Sequence, residues 1–243
     1  MTMLRARRLV SAVVAASLAL GGLSACRSEP AVAAYYGDSG QVSEQQVQDI
    51  WDEAYDALAA QTPDAQVQMP FTRSDIVHSL VVREIYGQMA QAHQVSLPAG
   101  LPYDEAATQS KLPADSEYVR LLVQNGVLRN LLTEKVGTSA QPAEADLRMV
   151  YDRLAAAGGV QPGTEFGAWS AGLSPQNRQL VAAAGVMRGE MQEVADDLHV
   201  KVSPRYQPFQ LSLLSAGDGG AGTLDLIAAS FGEDLSVPVA DVS

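Results

Sequence analysis

The chain has 243 residues, with 16 basic and 28 acidic side chains, three histidines, one cysteine and a formal net charge of −12. Such acidity argues against nucleic acid and anionic lipid headgroups as electrostatic partners, because both repel it. A single cysteine allows no intramolecular disulfide, so apolar burial must hold the fold, and the length suffices for one or two domains.

The first residues read as an export signal. Arg5, Arg7 and Arg8 precede an uncharged stretch from Leu9 to Ala25, which ends in small residues just before Cys26. A positive start, an apolar middle and a small-residue exit make a secretory signal peptide. The 17-residue run is marginally short for a bilayer span, and Arg27 follows it closely. Leu23-Ser24-Ala25-Cys26 resembles the lipobox of bacterial prolipoproteins. That resemblance implies cleavage before Cys26 and acylation of its thiol, palmitate included. Residues 1–25 are thus expected to be removed and 26–30 to form a lipidated spacer. The protein would then sit on the extracytoplasmic face of the cell membrane. Losing three arginines leaves 13 basic against 28 acidic residues, a formal net charge of −15.

From Ala31 to Tyr36 the residues favour a strand, closed by the turn Gly37-Asp38-Ser39-Gly40. Ser43 and Gln46 form a capping-box signature. They open a first helix with Val47, Ile50, Trp51, Ala54 and Leu58 inward. Thr72 and Asp75 open a second, burying Ile76, Val77, Leu80, Val81, Ile85 and Met89. A short helix is expected around Asp104 to Gln109. A long third helix should run from Asp115 to Val136, with Tyr118, Leu121, Leu122, Leu128, Leu131 and Leu132 inward. Pro142 to Ala157 reads as a fourth helix, ended by Gly158-Gly159. In the last helix Ser174 is the N-cap and Pro175 occupies the first turn. Its Leu180, Ala184, Met187, Met191, Val194 and Leu198 alternate spacings of four and three, a narrow seam for packing on another helix. Val200-Lys201-Val202 follows as a short strand. The Gly-rich, acidic residues 215–243 are expected to form a flexible tail, with one short helix near Leu224 to Ala229.

Few residues point to chemistry. His78 and His93 share a helix but stand 15 residues apart, about 22 Å along the axis, too far to bind one metal. His199 ends the last helix, where a cation suits the dipole. Asp49, Asp52, Glu53 and Asp56 form an acidic stripe opposite the apolar side of the first helix, which reads as its solvated face rather than a calcium site. Nucleophile-elbow and phosphate-loop motifs are missing, and no metal or cofactor site is expected. The reading is non-enzymatic. Methionines and aromatics on the helices, including Trp51, Tyr86, Tyr118, Met187 and Met191, offer adaptable apolar surface. Met187 and Met191, on the seam of the last helix, are the candidate peptide-binding residues.

Two segments carry a family resemblance. Ala33-Ala34-Tyr35-Tyr36-Gly37-Asp38 with Val42-Ser43-Glu44-Gln45-Gln46-Val47 resembles the opening of SurA N-terminal-like domains. Val200-Lys201-Val202-Ser203-Pro204-Arg205-Tyr206 is similar to the V-x-V-N-P-R-Y-G strand closing actinobacterial lipoproteins of that family. Here Ser203 replaces the Asn and Gln207 the Gly. The resemblance implies a mostly α fold, a helical bundle spanning residues 31–214 whose first and last strands pair. It also implies chaperone-type binding of unfolded or exported polypeptides. Family members that are prolyl isomerases carry a parvulin domain. Only 37 residues, Gly137 to Leu173, separate the third helix from the last, whereas a domain needs about 50 or more, so no isomerase is expected. The alternative is an adaptor that docks one envelope complex through its tail or acidic stripe.

Overall fold

The computed structural model describes residues 31–61, 66–217 and 222–232. The expected signal peptide, Cys26 and the spacer lie outside the described residues. Among the described residues no helix is long and apolar enough to cross a membrane.

The fold is mostly α. Seven helices and two small antiparallel sheets make up the described residues. Strand β1 (Val32–Tyr36) turns at Gly37, whose φ of 60° suits glycine, into β2 (Gly40–Ser43). Helix α1 (Glu44–Gln61) starts where the Ser43 hydroxyl accepts the Gln46 N–H at 3.0 Å. Helix α2 (Arg73–His93) has a complete capping box: the Asp75 N–H donates to Thr72 Oγ1, and the Thr72 N–H to Asp75 Oδ2 at 2.7 Å. Helix α3 (Tyr103–Ser110) is the expected short one. Helix α4 (Glu117–Gly137) is capped by Ser116, and α5 (Glu144–Ala156) ends before Gly158 at φ 75°.

Helix α6 (Phe166–Gly172) was not anticipated, being only seven residues long. Phe166 and Trp169 on it pack around Tyr151 of α5, with centroids 5.7 and 5.5 Å from that ring. Helix α7 (Pro175–Asp197) begins at Ser174, whose hydroxyl accepts the Asn177 N–H, and is followed by β3 (Lys201–Val202). Strands β4 (Phe209–Gly217) and β5 (Thr223–Phe231) complete the chain's described elements.

The expected pairing of the two ends is present. β1 is the central strand of the order β2-β1-β3, with Ala34 opposite Val202 and Tyr35 opposite Lys201. Two backbone segments remote in sequence satisfy each other's donors and acceptors in this way.

Several expectations need correction. Residues 223–231 form a strand, not a helix, and are no loose tail. They pair with β4 in a hairpin that bridges the expected boundary at 214/215. Leu226, Ile227, Ala229 and Phe231 are buried, and β5 lies against α7 and α5. The hairpin forms because both arms carry apolar side chains that the helices can cover, which outweighs the Gly-rich link. Residues 218–221 and 233–243 lie outside the described residues.

The second correction concerns the seam of α7. Leu180 is 49 % exposed, whereas Val181, Ala182 and Ala183 are buried. A helix contacted by α2, α4 and α5 and by both arms of the hairpin needs a wide apolar face of small residues, not a two-in-seven stripe. Gly137 of α4 meets Ala183 of α7 so closely that a Cβ there would overlap the alanine methyl. Leu122, expected inward on α4, is 40 % exposed, while Leu121 beside it is fully buried.

Candidate functional site: an apolar cleft between two helices

One concave feature lies between α2 and α4, with the start of β4 along its side. It encloses about 480 Å³. From α2 come Asp75, His78, Val82 and Tyr86; from α4 come Tyr118, Leu122, Asn125 and Arg129. Steps of three and four place each set along one face of its helix. Phe71, before α2, and Phe209 and Leu211 of β4 supply further apolar lining. On the far side of α4 a second depression of about 510 Å³ lies against α3. Leu122 and Gly126 line both depressions and form the crest between them. An added Cβ at Gly126 would meet nothing within 4 Å, so the crest is low because glycine stands there.

Aromatic contacts build the walls. Phe71 stacks on Tyr118 with centroids 3.7 Å apart, and Trp51 meets the Phe71 ring edge-on at 5.9 Å. Arg73 lies over the Trp51 ring at 4.3 Å. The His78 ring stacks on Phe209 at 4.1 Å, and its Nε2 lies 2.8 Å from the Tyr206 carbonyl. A carbonyl can only accept, so Nε2 carries the proton. Burial holds the His78 pKa below 6.5, outweighing the opposite pull of that carbonyl and of Asp75.

Polar side chains alternate with the apolar lining. Arg129 donates to the Leu213 carbonyl at 3.0 Å, where the hairpin bulges. Asn125 Nδ2 donates to the Ser79 carbonyl at 2.9 Å, tying α4 to α2. Asn125 Oδ1 and the Tyr86 hydroxyl are buried without a protein partner. Burial pushes the Tyr86 hydroxyl up to about 12, with Arg129 pulling weakly the other way.

The residues singled out from the sequence fall elsewhere. Met187 and Met191 are 1 % and 0 % exposed. They are core residues, and in this conformation they present nothing to a peptide. This corrects their assignment as a groove wall: α7 is the central helix, so its apolar face is covered on several sides. His93 bridges α2 to Glu190 of α7 at 2.6 Å, and His199 Nδ1 contacts the Asp197 carbonyl. In the acidic stripe, Asp49 and Asp52 accept from Gln45 and Gln48, and Glu53 accepts the Glu117 N–H at the start of α4. Among the described residues no group of three His, Cys, Asp or Glu is placed to hold a metal ion.

Sequence reasoning flagged Tyr86 and Tyr118 but missed Phe71, Asn125, Gly126 and Phe209. The available signal was Asn125-Gly126 inside a leucine-rich helix, where both residues lower helix propensity without capping anything. Comparison with protein-family models, with curated proteins and with solved structures finds no match to this chain.

Proposed function

We propose that this protein is a lipid-anchored extracytoplasmic lipoprotein that binds unfolded or exported polypeptides as a SurA-like chaperone, without prolyl isomerase activity. The observation that carries the binding part is the α2–α4 cleft with its low crest at Leu122 and Gly126. A groove that combines aromatic and aliphatic walls with polar groups able to meet main-chain amides suits extended polypeptide whose apolar side chains are uncovered. A holdase works by covering such segments before they meet each other. The anchoring part rests on the lipobox resemblance at Cys26. In a Cys26→Ser variant, labelled palmitate incorporation should disappear; equal labelling of variant and parent would end that part of the reading.

The cleft provides a cleaner test of binding than the buried methionines. Gly126→Trp fills the crest from an exposed position and leaves the core untouched. The full-length parent should slow the aggregation of several unrelated unfolded proteins at near-stoichiometric ratio. Gly126→Trp should lose most of that protection while keeping its circular dichroism and melting temperature. If the parent in several-fold excess protects none of the panel, the chaperone reading fails and a dedicated adaptor becomes the better account.

A further inference from the structure

We propose that the α2–α4 cleft holds an amide-reading subsite, where the Tyr86 hydroxyl donates to a carbonyl of a bound peptide and Asn125 Oδ1 accepts an N–H from it. This deepens the polypeptide-binding reading and rests on it.

The inference starts from two unmade hydrogen bonds. Tyr86 is 1 % exposed, yet its hydroxyl has no partner among the protein groups around it. A buried polar group left unsatisfied is costly, and native interiors hold few of them. Asn125 shows the same pattern on the facing helix. Its Nδ2 is committed to the Ser79 carbonyl, which can only accept, so the orientation of the carboxamide is fixed and Oδ1 is its free end.

Both residues line one cleft. They offer one donor and one acceptor on facing helices, the complement of a secondary amide with its C=O and N–H. Because burial raises the Tyr86 pKa, the hydroxyl stays protonated and a donor throughout the neutral range. Charged ligands are less suitable. The lining carries one charge of each sign, Asp75 and Arg129, so any charged ligand meets a like charge as well as an opposite one. The remaining lining includes Phe71, Val82, Tyr118 and Phe209, which can pack the side chains on either side of the amide. The occupant is therefore a main-chain amide of an extended peptide flanked by apolar side chains. Both orphan atoms are covered in this structure, so lining side chains shift as the peptide seats.

The side-chain amide of Asn or Gln shares this chemistry, and the test separates the two sources. A fluorescein-labelled decapeptide of Leu, Phe, Ser and Gly, with neither Asn nor Gln, is titrated with the full-length protein. A second peptide has its central amides N-methylated, and a third adds one Gln to that methylated chain. Tyr86→Phe keeps the ring and removes only the unpartnered hydroxyl, so its melting temperature should stay level or rise. Its affinity for the first peptide should fall about tenfold, roughly one charge-free hydrogen bond. N-methylation should weaken binding to the parent by a similar factor, and adding Gln should not restore it. Equal affinity of Tyr86→Phe and parent would overturn the subsite and leave polypeptide binding standing. Recovery by the Gln peptide would overturn the main-chain assignment. If the parent binds no peptide at all, the underlying reading falls and takes the subsite with it.

Discussion

The Tyr206 hydroxyl donates to the Glu44 carboxylate at 2.6 Å, across 162 positions of sequence. Arg205 meets the same carboxylate at 3.1 Å, so the start of α1 is tied to the segment just after β3. Burial raises the Tyr206 pKa above 10.0, and the bond to Glu44 raises it further. A folded-state value above the unfolded one favours folding fully at pH below the unfolded value, and the contribution is lost as pH rises through the folded value. Tyr206→Phe should therefore cost about 1.5–3 kcal/mol at pH 7, the range for a hydrogen bond to a charged acceptor. The difference from the parent should shrink above pH 10. Urea melts of both proteins at pH 7 and pH 10.5 check this.

The hairpin makes a stability prediction opposite to the one its composition suggests. Ending the chain after Ser215 removes β5 and with it the buried Leu226, Ile227, Ala229 and Phe231. That truncation should lower the melting temperature strongly. Ile227→Ala alone should cost about 2–5 kcal/mol, as for other fully buried aliphatic side chains. An unaltered melting temperature for the truncated chain would show that the hairpin contributes nothing to the core.

Arg188 of α7 donates to Asp146 of α5 at 2.6 Å, with the aspartate side chain only 8 % exposed. Removing the arginine strands a buried carboxylate, so Arg188→Met should destabilise by about 3 kcal/mol. The double variant Arg188→Met, Asp146→Leu should recover most of that loss, because the unpaired charge goes too. Gly185 faces the same carboxylate, and a Cβ there would overlap Asp146 Oδ2. Gly185→Ala should also destabilise, by about 1–3 kcal/mol for overpacking. Thermal melts of the three variants decide the matter.

His78 links the site to pH. Its folded pKa lies below 6.5 because burial disfavours the charged ring. A depressed value supplies stability above the unfolded pKa, and that stability is lost as pH falls through the folded one. The parent's melting temperature should drop between pH 7 and pH 5. His78→Gln, which keeps a donor for the Tyr206 carbonyl, should start lower at pH 7 but drop less over the interval. Parallel slopes would place the acid sensitivity elsewhere.

The helices were legible because their signals are local. Thr72 with Asp75 and Ser174 with Pro175 mark helix starts through residues three apart or adjacent, and both caps are present. The pairing of β1 with β3 was legible through the resemblance of Ala33–Tyr36 and Val200–Val202 and because two isolated short strands need partners for their backbone groups. Residues 223–231 misled because Gly and Asp around them suggest a loose end. The alternation that makes a strand was masked by Leu226 and Ile227, adjacent in sequence and both buried at the bulge opposite Leu213. The cleft was illegible for a different reason. It is a property of the gap between α2 and α4, and the sequence spacing of Tyr86 and Asn125 carries no information on that gap.

β1 stands between β2 and β3, and its second neighbour arrives 168 positions after Ala34. A polypeptide made from its amino end can form the β1–β2 hairpin early, but that sheet stays open on one side until Val202 has emerged. Closing so long a loop is also the slow step expected of non-local pairing. Products cut short by a stalled ribosome or a nick would thus display a bare strand edge beside Ala33 and Ala34, both buried in the finished domain. Surveillance proteases that seize exposed strands would find on an unfinished copy a handle at β1 that β3 covers in a complete one.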